Sequence, residues 1–283
     1  MFTIEKALRE ARTAIGSTDA RVLLRHVLAT SNEFLATHPE QALTVEQTTA
    51  FQALVARREL GEPVAYLISV REFYGLEFLV TPDVLIPRPE TELLVDLALQ
   101  RIPVDYPRHV LDLGVGSGAI AIGVAANRPL AKITATDISA TALQVAQQNA
   151  ERLIPFENRA NIAFIKSDWY SNLGDTLFDV ILTNPPYVAE NDPHMQQGDL
   201  RFEPANALTP GGDGLDAFRA IIGQAPIHLH SNGWLLCEHG YDQAKAVRAL
   251  LVAAGFQSVV SLKDLSGIPR TTIGRIGNAL NIY

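Results

Sequence analysis

Asp112-Leu113-Gly114-Val115-Gly116-Ser117-Gly118 stands between an apolar run, His109 to Leu113, and a run of helical spacing that starts at Ile120. Glycines at alternate positions let the chain turn tightly and let a ligand approach the backbone. One strand further on, Ile133-Thr134-Ala135-Thr136 ends in Asp137, whose carboxylate can accept two hydrogen bonds from ribose hydroxyls. A strand, a glycine loop, a helix and a second strand closing on an acid predict a parallel α/β sheet that holds an adenosine-containing cofactor. Each feature alone also fits a tight turn with a capping Asp; the order in which they come favours the cofactor.

The loop departs from G-x-G-x-x-G, and Asp112 precedes it at the strand end. An acid there disfavours the pyrophosphate of a dinucleotide, which needs the helix N-terminus. It suits the cationic methionine end of S-adenosylmethionine. Asp168 and Trp169 follow the third strand, Ile162 to Ile165. They fit an adenine contact, with the carboxylate accepting from the amino group, and equally a cap with a core aromatic.

The alternation continues outward. Leu93, Leu94, Leu97 and Ala98 mark a helix, as do Leu143 to Leu153 and Ala244 to Ala254; Val180 to Thr183 and Trp234 to Cys237 read as strands. Ser258 to Leu262 and Thr271 to Ile276 predict a β-hairpin. The series predicts a doubly wound, mainly parallel sheet with its ligand site beyond the carboxyl ends of the strands. Upstream, Ile4, Ala7, Leu8, Ala11 and Ile15 recur at helical spacing, Asp19 is placed to cap a second helix, and Thr44 with Gln47 forms a capping-box pattern closed at Gly61 and Pro63. Phe73 to Ile86 reads as extended chain with turns at Gly75 and Pro82. The expected organisation is a helical substrate-recognition domain over 1–72, a strand-rich linker over 73–88 and a catalytic domain over 89–283.

Composition narrows the function. The formal net charge of −8 opposes a protein that tracks nucleic-acid phosphates. The single cysteine, Cys237, excludes an intrachain disulfide framework and lies in an apolar strand as a core residue. There is no apolar run of membrane-spanning length, no signal core near Met1, and no metal-ligand spacing among the histidines. A cytoplasmic protein without membrane association is expected.

Asn184-Pro185-Pro186-Tyr187 follows the fourth strand directly. After a glycine loop and a ribose acid it resembles the motif of amino methyltransferases that act on a planar nitrogen conjugated to a π system. Such a nitrogen is a poor nucleophile, and its two N–H groups need fixed acceptors: the Asn184 side-chain oxygen and the Pro185 carbonyl, in a loop stiffened by proline, with Tyr187 packing on the planar group. Adenine and glutamine both satisfy this chemistry. Ile86-Pro87-Arg88-Pro89-Glu90-Thr91-Glu92, Asp192-Pro193-His194, Gly198 to Pro204, Gly211-Gly212-Asp213-Gly214-Leu215 and the Asp264 to Arg270 ending look like the release factor glutamine methyltransferase family. The likeness runs along essentially the whole chain. It implies a seven-stranded methyltransferase sheet and S-adenosylmethionine held by Gly114, Val115, Gly116, Ser117, Gly118, Asp137, Asp168 and Trp169, with Asn184 near both cofactor and target. It implies as substrate the glutamine of the Gly-Gly-Gln loop of class 1 peptide release factors, held by Asn184, Pro185, Pro186 and Tyr187. Arg88 and Glu90 either close the site from the linker or form a surface pair; Glu203 is placed to order the loop after the site. A ribosomal-protein glutamine methyltransferase and an adenine-N6 nucleic-acid methyltransferase are the alternatives.

Overall fold

The computed structural model describes residues 2–193 and 198–277, which excludes His194 of the Asp192–His194 run. The described chain divides into two compact units, one of residues 2–70 with 198–202, the other of 71–193 with 203–277.

The first unit is helical: α1 (Ile4–Ile15), α2 (Ser17–Leu28), α3 (Asn32–Thr37), α4 (Val45–Glu59) and α5 (Val64–Ile68), with a 3₁₀ turn at Gly198–Phe202. Ile4, Ala7, Ala11, Leu23, Leu24 and Phe51 bury their side chains together. The Thr44–Gln47 capping box forms as the spacing predicts. Asp19 does not cap: α2 begins two residues earlier, and Asp19 accepts from Arg58 Nε at 2.7 Å. The same Arg58 reaches Asp199 at 2.8 Å.

The chain passes to the second unit within β1 (Val70–Phe73), which pairs with β2 (Leu76–Leu79). The hairpin turns at Tyr74 and Gly75, both at positive φ, as a tight two-residue turn requires. Then come α6 (Glu92–Leu99), β3 (His109–Leu113), α7 (Ala119–Asn127), β4 (Lys132–Asp137), α8 (Ala140–Leu153), α9 (Phe156–Arg159), β5 (Ile162–Lys166) and β6 (Phe178–Thr183). After them follow α10 (Ala205–Leu208), α11 (Asp216–Gln224), β7 (Leu229–Glu238), α12 (Ala244–Ala253), β8 (Phe256–Lys263) and β9 (Pro269–Ile276). The sheet has seven strands among the described residues, ordered β5-β4-β3-β6-β7-β9-β8, with only β9 antiparallel to its neighbours.

Two differences from the sequence expectation have local causes. The helix α11 went unread, although Ala217, Phe218, Ile221 and Ile222 bury one face of it. β7 starts at Leu229 and not Trp234, because a bulge at Asn232 (φ 67°) lets the polar stretch His230–Gly233 stay in the strand.

Strand order reverses between β3 and β6, the place where doubly wound sheets bind ligands. Register aligns the strand ends there: Leu113 is opposite Thr136 and Thr183, and Thr183 is opposite Cys237. Alternation assigns the faces. Val110, Val180, Leu182 and Leu236 pack toward α6, α7 and α8, whereas Leu111, Ile181, Leu235 and Cys237 pack toward α11 and α12.

Candidate functional site

The loop after β3 continues the parallel ladder for one step, with Gly114 and Val115 N–H donating to the Thr136 carbonyl at 2.9 and 2.8 Å. Gly114, Gly116 and Gly118 have φ of 78°, 53° and 87°, in the left-handed region where a Cβ is strained. At Gly118 a Cβ would also stand 2.8 Å from Ile122 Cδ1 and 3.3 Å from Ala146 Cα, so the close packing of α7 on α8 requires glycine. At Gly116 a Cβ would meet nothing within 4 Å, which leaves the loop open on that side.

Asp137 braces this loop. Its Oδ2 accepts from Gly116 N–H and its Oδ1 from Ser139 N–H, both at 2.9 Å. Each oxygen keeps a lone pair for a further donor. Burial raises its pKa, opposed by those backbone donors. Asp112 is fully buried and lies under the loop: Oδ2 accepts from Ala121 N–H at 3.0 Å, Oδ1 has no hydrogen-bond partner among the described residues, and burial pushes the carboxyl up to about 7.

A cavity of about 420 Å³ opens at this edge, within the range of small-molecule sites. Gly114 to Ser117, Asp137, Ser139, Asp168, Trp169, Asn184 and Pro186 line it, with Arg88, Pro87 and Thr91. Trp169 sits at φ 45°, strained for a non-glycine residue, and is held there by Ser167, whose hydroxyl donates to the Trp169 carbonyl at 2.8 Å. Its ring lies 3.6 Å from where a Gly114 Cβ would stand. The fit to a nucleoside with a cationic tail is good: an open glycine main chain, an aromatic face, and carboxylates at two strand ends.

Asn184 leaves β6 at the cavity wall, and its Nδ2 donates to Thr91 Oγ1 at 3.3 Å. Pro185 is buried. Tyr187 is not among the cavity-lining residues. It packs against the core on the α11 and α12 side, and burial, reinforced by Glu238, raises its hydroxyl pKa. Its main chain is tied down twice, by N–H donation to the Leu208 carbonyl and by Gln243 Nε2, which donates to the Tyr187 carbonyl at 3.0 Å.

The ion pair of Arg88 is with Glu203, not with Glu90. The Glu203 side chain has no exposed surface, and its second oxygen accepts from Ile86 N–H at 3.1 Å. Glu90 is half-buried and does not line the cavity. Thr91, Gln243 and Glu238 escaped the sequence reading; only Thr91 lay in a quoted motif, and nothing in its residue type marked it.

The methyltransferase small domain family matches residues 91–215, and the PrmC N-terminal domain family matches residues 3–68. The release factor glutamine methyltransferase of Burkholderia pseudomallei is 50% identical over 264 residues, 93% of each chain. That of Xylella fastidiosa (strain Temecula1) is 48% identical over 95% of this chain and 96% of its own. The 16S rRNA N2 G1207 methyltransferase of T. thermophilus, solved with AdoMet and guanosine, shares the fold with a TM-score of 0.51 at 20% identity, over 73% of this chain and 49% of that one. No helix among the described residues is long and apolar enough to cross a membrane. With half its residues identical over nearly its whole length, this chain belongs to the release factor glutamine methyltransferase family and is an S-adenosylmethionine-dependent enzyme.

Proposed function

We propose that the chain methylates the side-chain amide nitrogen, N5, of the glutamine in the Gly-Gly-Gln loop of class 1 peptide release factors. The observation that carries this reading is the orientation of Asn184: its amide N–H₂ is engaged by Thr91, and the residue lines the same cavity as Gly116 and Asp137. That leaves Oδ1 to accept an N–H from a planar amide. The names of the relatives agree with the substrate.

In this reading Gly114 to Gly118, Asp137, Asp168 and Trp169 hold the cofactor. S-adenosylmethionine, when bound, supplies a methyl group on a cationic sulfur. Asn184 Oδ1 and the Pro185 carbonyl accept the two N–H groups of the target and turn the nitrogen toward the cofactor. Both acceptors favour the positive charge that grows on nitrogen as the N–C bond forms. The methylated nitrogen then loses a proton to water without a strong base. Pro186 and the half-buried Tyr187 stiffen the loop, and Arg88 with Glu203 shapes the wall opposite. The helical unit of residues 2–70 with 198–202 provides the contact area for a folded substrate, since a specific protein interface needs about 800 Å² per partner.

The test is transfer from labelled cofactor to purified release factor, with the methyl located by mass spectrometry. Label on the Gly-Gly-Gln glutamine is expected, together with no label on nucleic acid. Label on an adenine, or on a ribosomal protein in preference, overturns the substrate assignment.

A further inference from the structure

Glu238 ends β7 one residue past Cys237, and Asn184 follows β6 one residue past Thr183; Cys237 and Thr183 are register partners. Alternation turns both side chains toward the α6 face, where Thr91 precedes the helix. The Glu238 side chain is 1% exposed, and its Oε2 has no hydrogen-bond partner among the described residues. The Thr91 and Asn184 side chains, themselves joined by a hydrogen bond of 3.3 Å, are the neighbouring donors that hold its carboxyl group toward the ionised form. A buried carboxylate at the edge of an active-site cavity is costly unless it serves its neighbours.

We propose that Glu238 is a positioning residue: with Thr91 it fixes the side-chain amide of Asn184 so that Oδ1, and not the amino group, faces the target nitrogen. The inference rests on the reading that Asn184 accepts from the substrate amide. A carboxylate only accepts. In the proposed arrangement Thr91 gives its hydroxyl proton to Glu238 and keeps a lone pair for Asn184 Nδ2. The opposite rotamer would set Asn184 Oδ1 against Thr91 Oγ1, whose proton is committed to Glu238, and present N–H₂ to the N–H donors of the target. Once Glu238 is protonated it becomes a donor, the Thr91 hydroxyl is free to reverse, and the orientation of Asn184 is no longer imposed.

The neighbours of Glu238 set its titration. Burial pushes its carboxyl up to about 7, against Thr91, Arg270 and Asn184, and Glu90 adds to the rise. The Tyr187 hydroxyl stays protonated, because burial raises its pKa and the Glu238 charge adds to the rise. His239, next in the chain, is kept neutral by burial. Turnover thus falls as pH drops through the Glu238 value, because protonation removes the acceptor.

The experiment measures kcat and both KM values of the full-length enzyme from about pH 5.5 to about pH 9, with cofactor affinity by calorimetry. Glu238→Gln offers a donor as well as an acceptor, so both Asn184 orientations become accessible. Its kcat should fall roughly ten-fold or more, the loss of about one hydrogen bond in the transition state, with cofactor affinity within about two-fold and the acid limb flattened. Thr91→Val should behave alike, and Thr91→Ser should recover most of the loss. Wild-type kcat and an unchanged acid limb in Glu238→Gln overturn the inference. If that variant does not fold, equal kcat in Thr91→Val and wild type overturns it instead. Asn184→Ala separates the two levels: normal kcat there removes the amide reading itself, whereas a large loss there with none in Glu238→Gln removes only the positioning role.

Discussion

Replacing Glu203 by alanine tests whether the segment at Ile86–Arg88 is held against the cavity by one buried carboxylate. Both of its oxygens are used, one by Ile86 N–H at 3.1 Å and the other by Arg88. Ile86 is 4% exposed, so its N–H would lose its acceptor out of reach of water, at a cost of about 1–3 kcal/mol. The Arg88 side chain is 31% exposed and can turn to solvent, so its share falls below the roughly 3–5 kcal/mol of breaking a fully buried pair. A total near 3 kcal/mol follows, which at about 2–4 °C per kcal/mol lowers Tm by roughly 6–12 °C. Because Pro87 and Arg88 line the cavity, cofactor affinity should drop as well. Differential scanning calorimetry with and without S-adenosylmethionine reads both effects. A Tm within about 2 °C of wild type, with unchanged protection by cofactor, would refute the idea that Glu203 organises this wall.

Three other perturbations probe the site. Asp137→Ala removes the acceptor of Gly116 and Ser139 and the proposed ribose contact, so cofactor Kd by calorimetry should rise at least ten-fold, one hydrogen bond to a charged group being worth about 1.5–3 kcal/mol; a wild-type Kd contradicts the ribose assignment. Gly118→Ala places a methyl group 2.8 Å from Ile122 Cδ1 at φ 87°, and chemical denaturation should show a loss of about 1–3 kcal/mol; stability equal to wild type would mean α7 can move off α8 freely. A release factor with Glu at the target position should accept no methyl, since a carboxylate has no N–H for Asn184 and Pro185; methyl ester by mass spectrometry defeats the two-acceptor scheme.

Legibility in the sequence followed how local each signal is. The glycine loop is a contiguous strand–turn–helix unit, so β3, α7 and the acid ending β4 could be placed from spacing alone. Asn184 could be placed at the end of the fourth parallel strand because Asn-Pro-Pro-Tyr is short and unusual. The partner of Arg88 was not, because Glu203 lies 115 residues away and only the folded chain brings them together. Glu238 reads as the polar end of an apolar strand, and its nearness to Asn184 depends on the pairing of β6 with β7, which residue pattern does not state. Polar His230–Gly233 hid the first half of β7 for the same reason: a bulge, not hydrophobic alternation, keeps that stretch in the sheet.

That pairing also explains why the position of Asn184 does not depend on its own weak contact with Thr91. Side chains alternate along β6, so Val180 and Leu182 face one core and Ile181 the other, each at most 1% exposed. A slip of one residue would turn Asn184 toward α11 and α12 and force these apolar side chains to exchange faces. Burying a Val, Leu or Ile side chain contributes about 1.5–3 kcal/mol, and three of them fix the register in β6 alone, before Leu235 and Leu236 in β7 are considered. A hydrogen bond of 3.3 Å to Thr91 contributes far less than this. The apolar core therefore decides which side of the sheet the amide occupies, and the polar groups at the strand ends decide only which way that amide is turned.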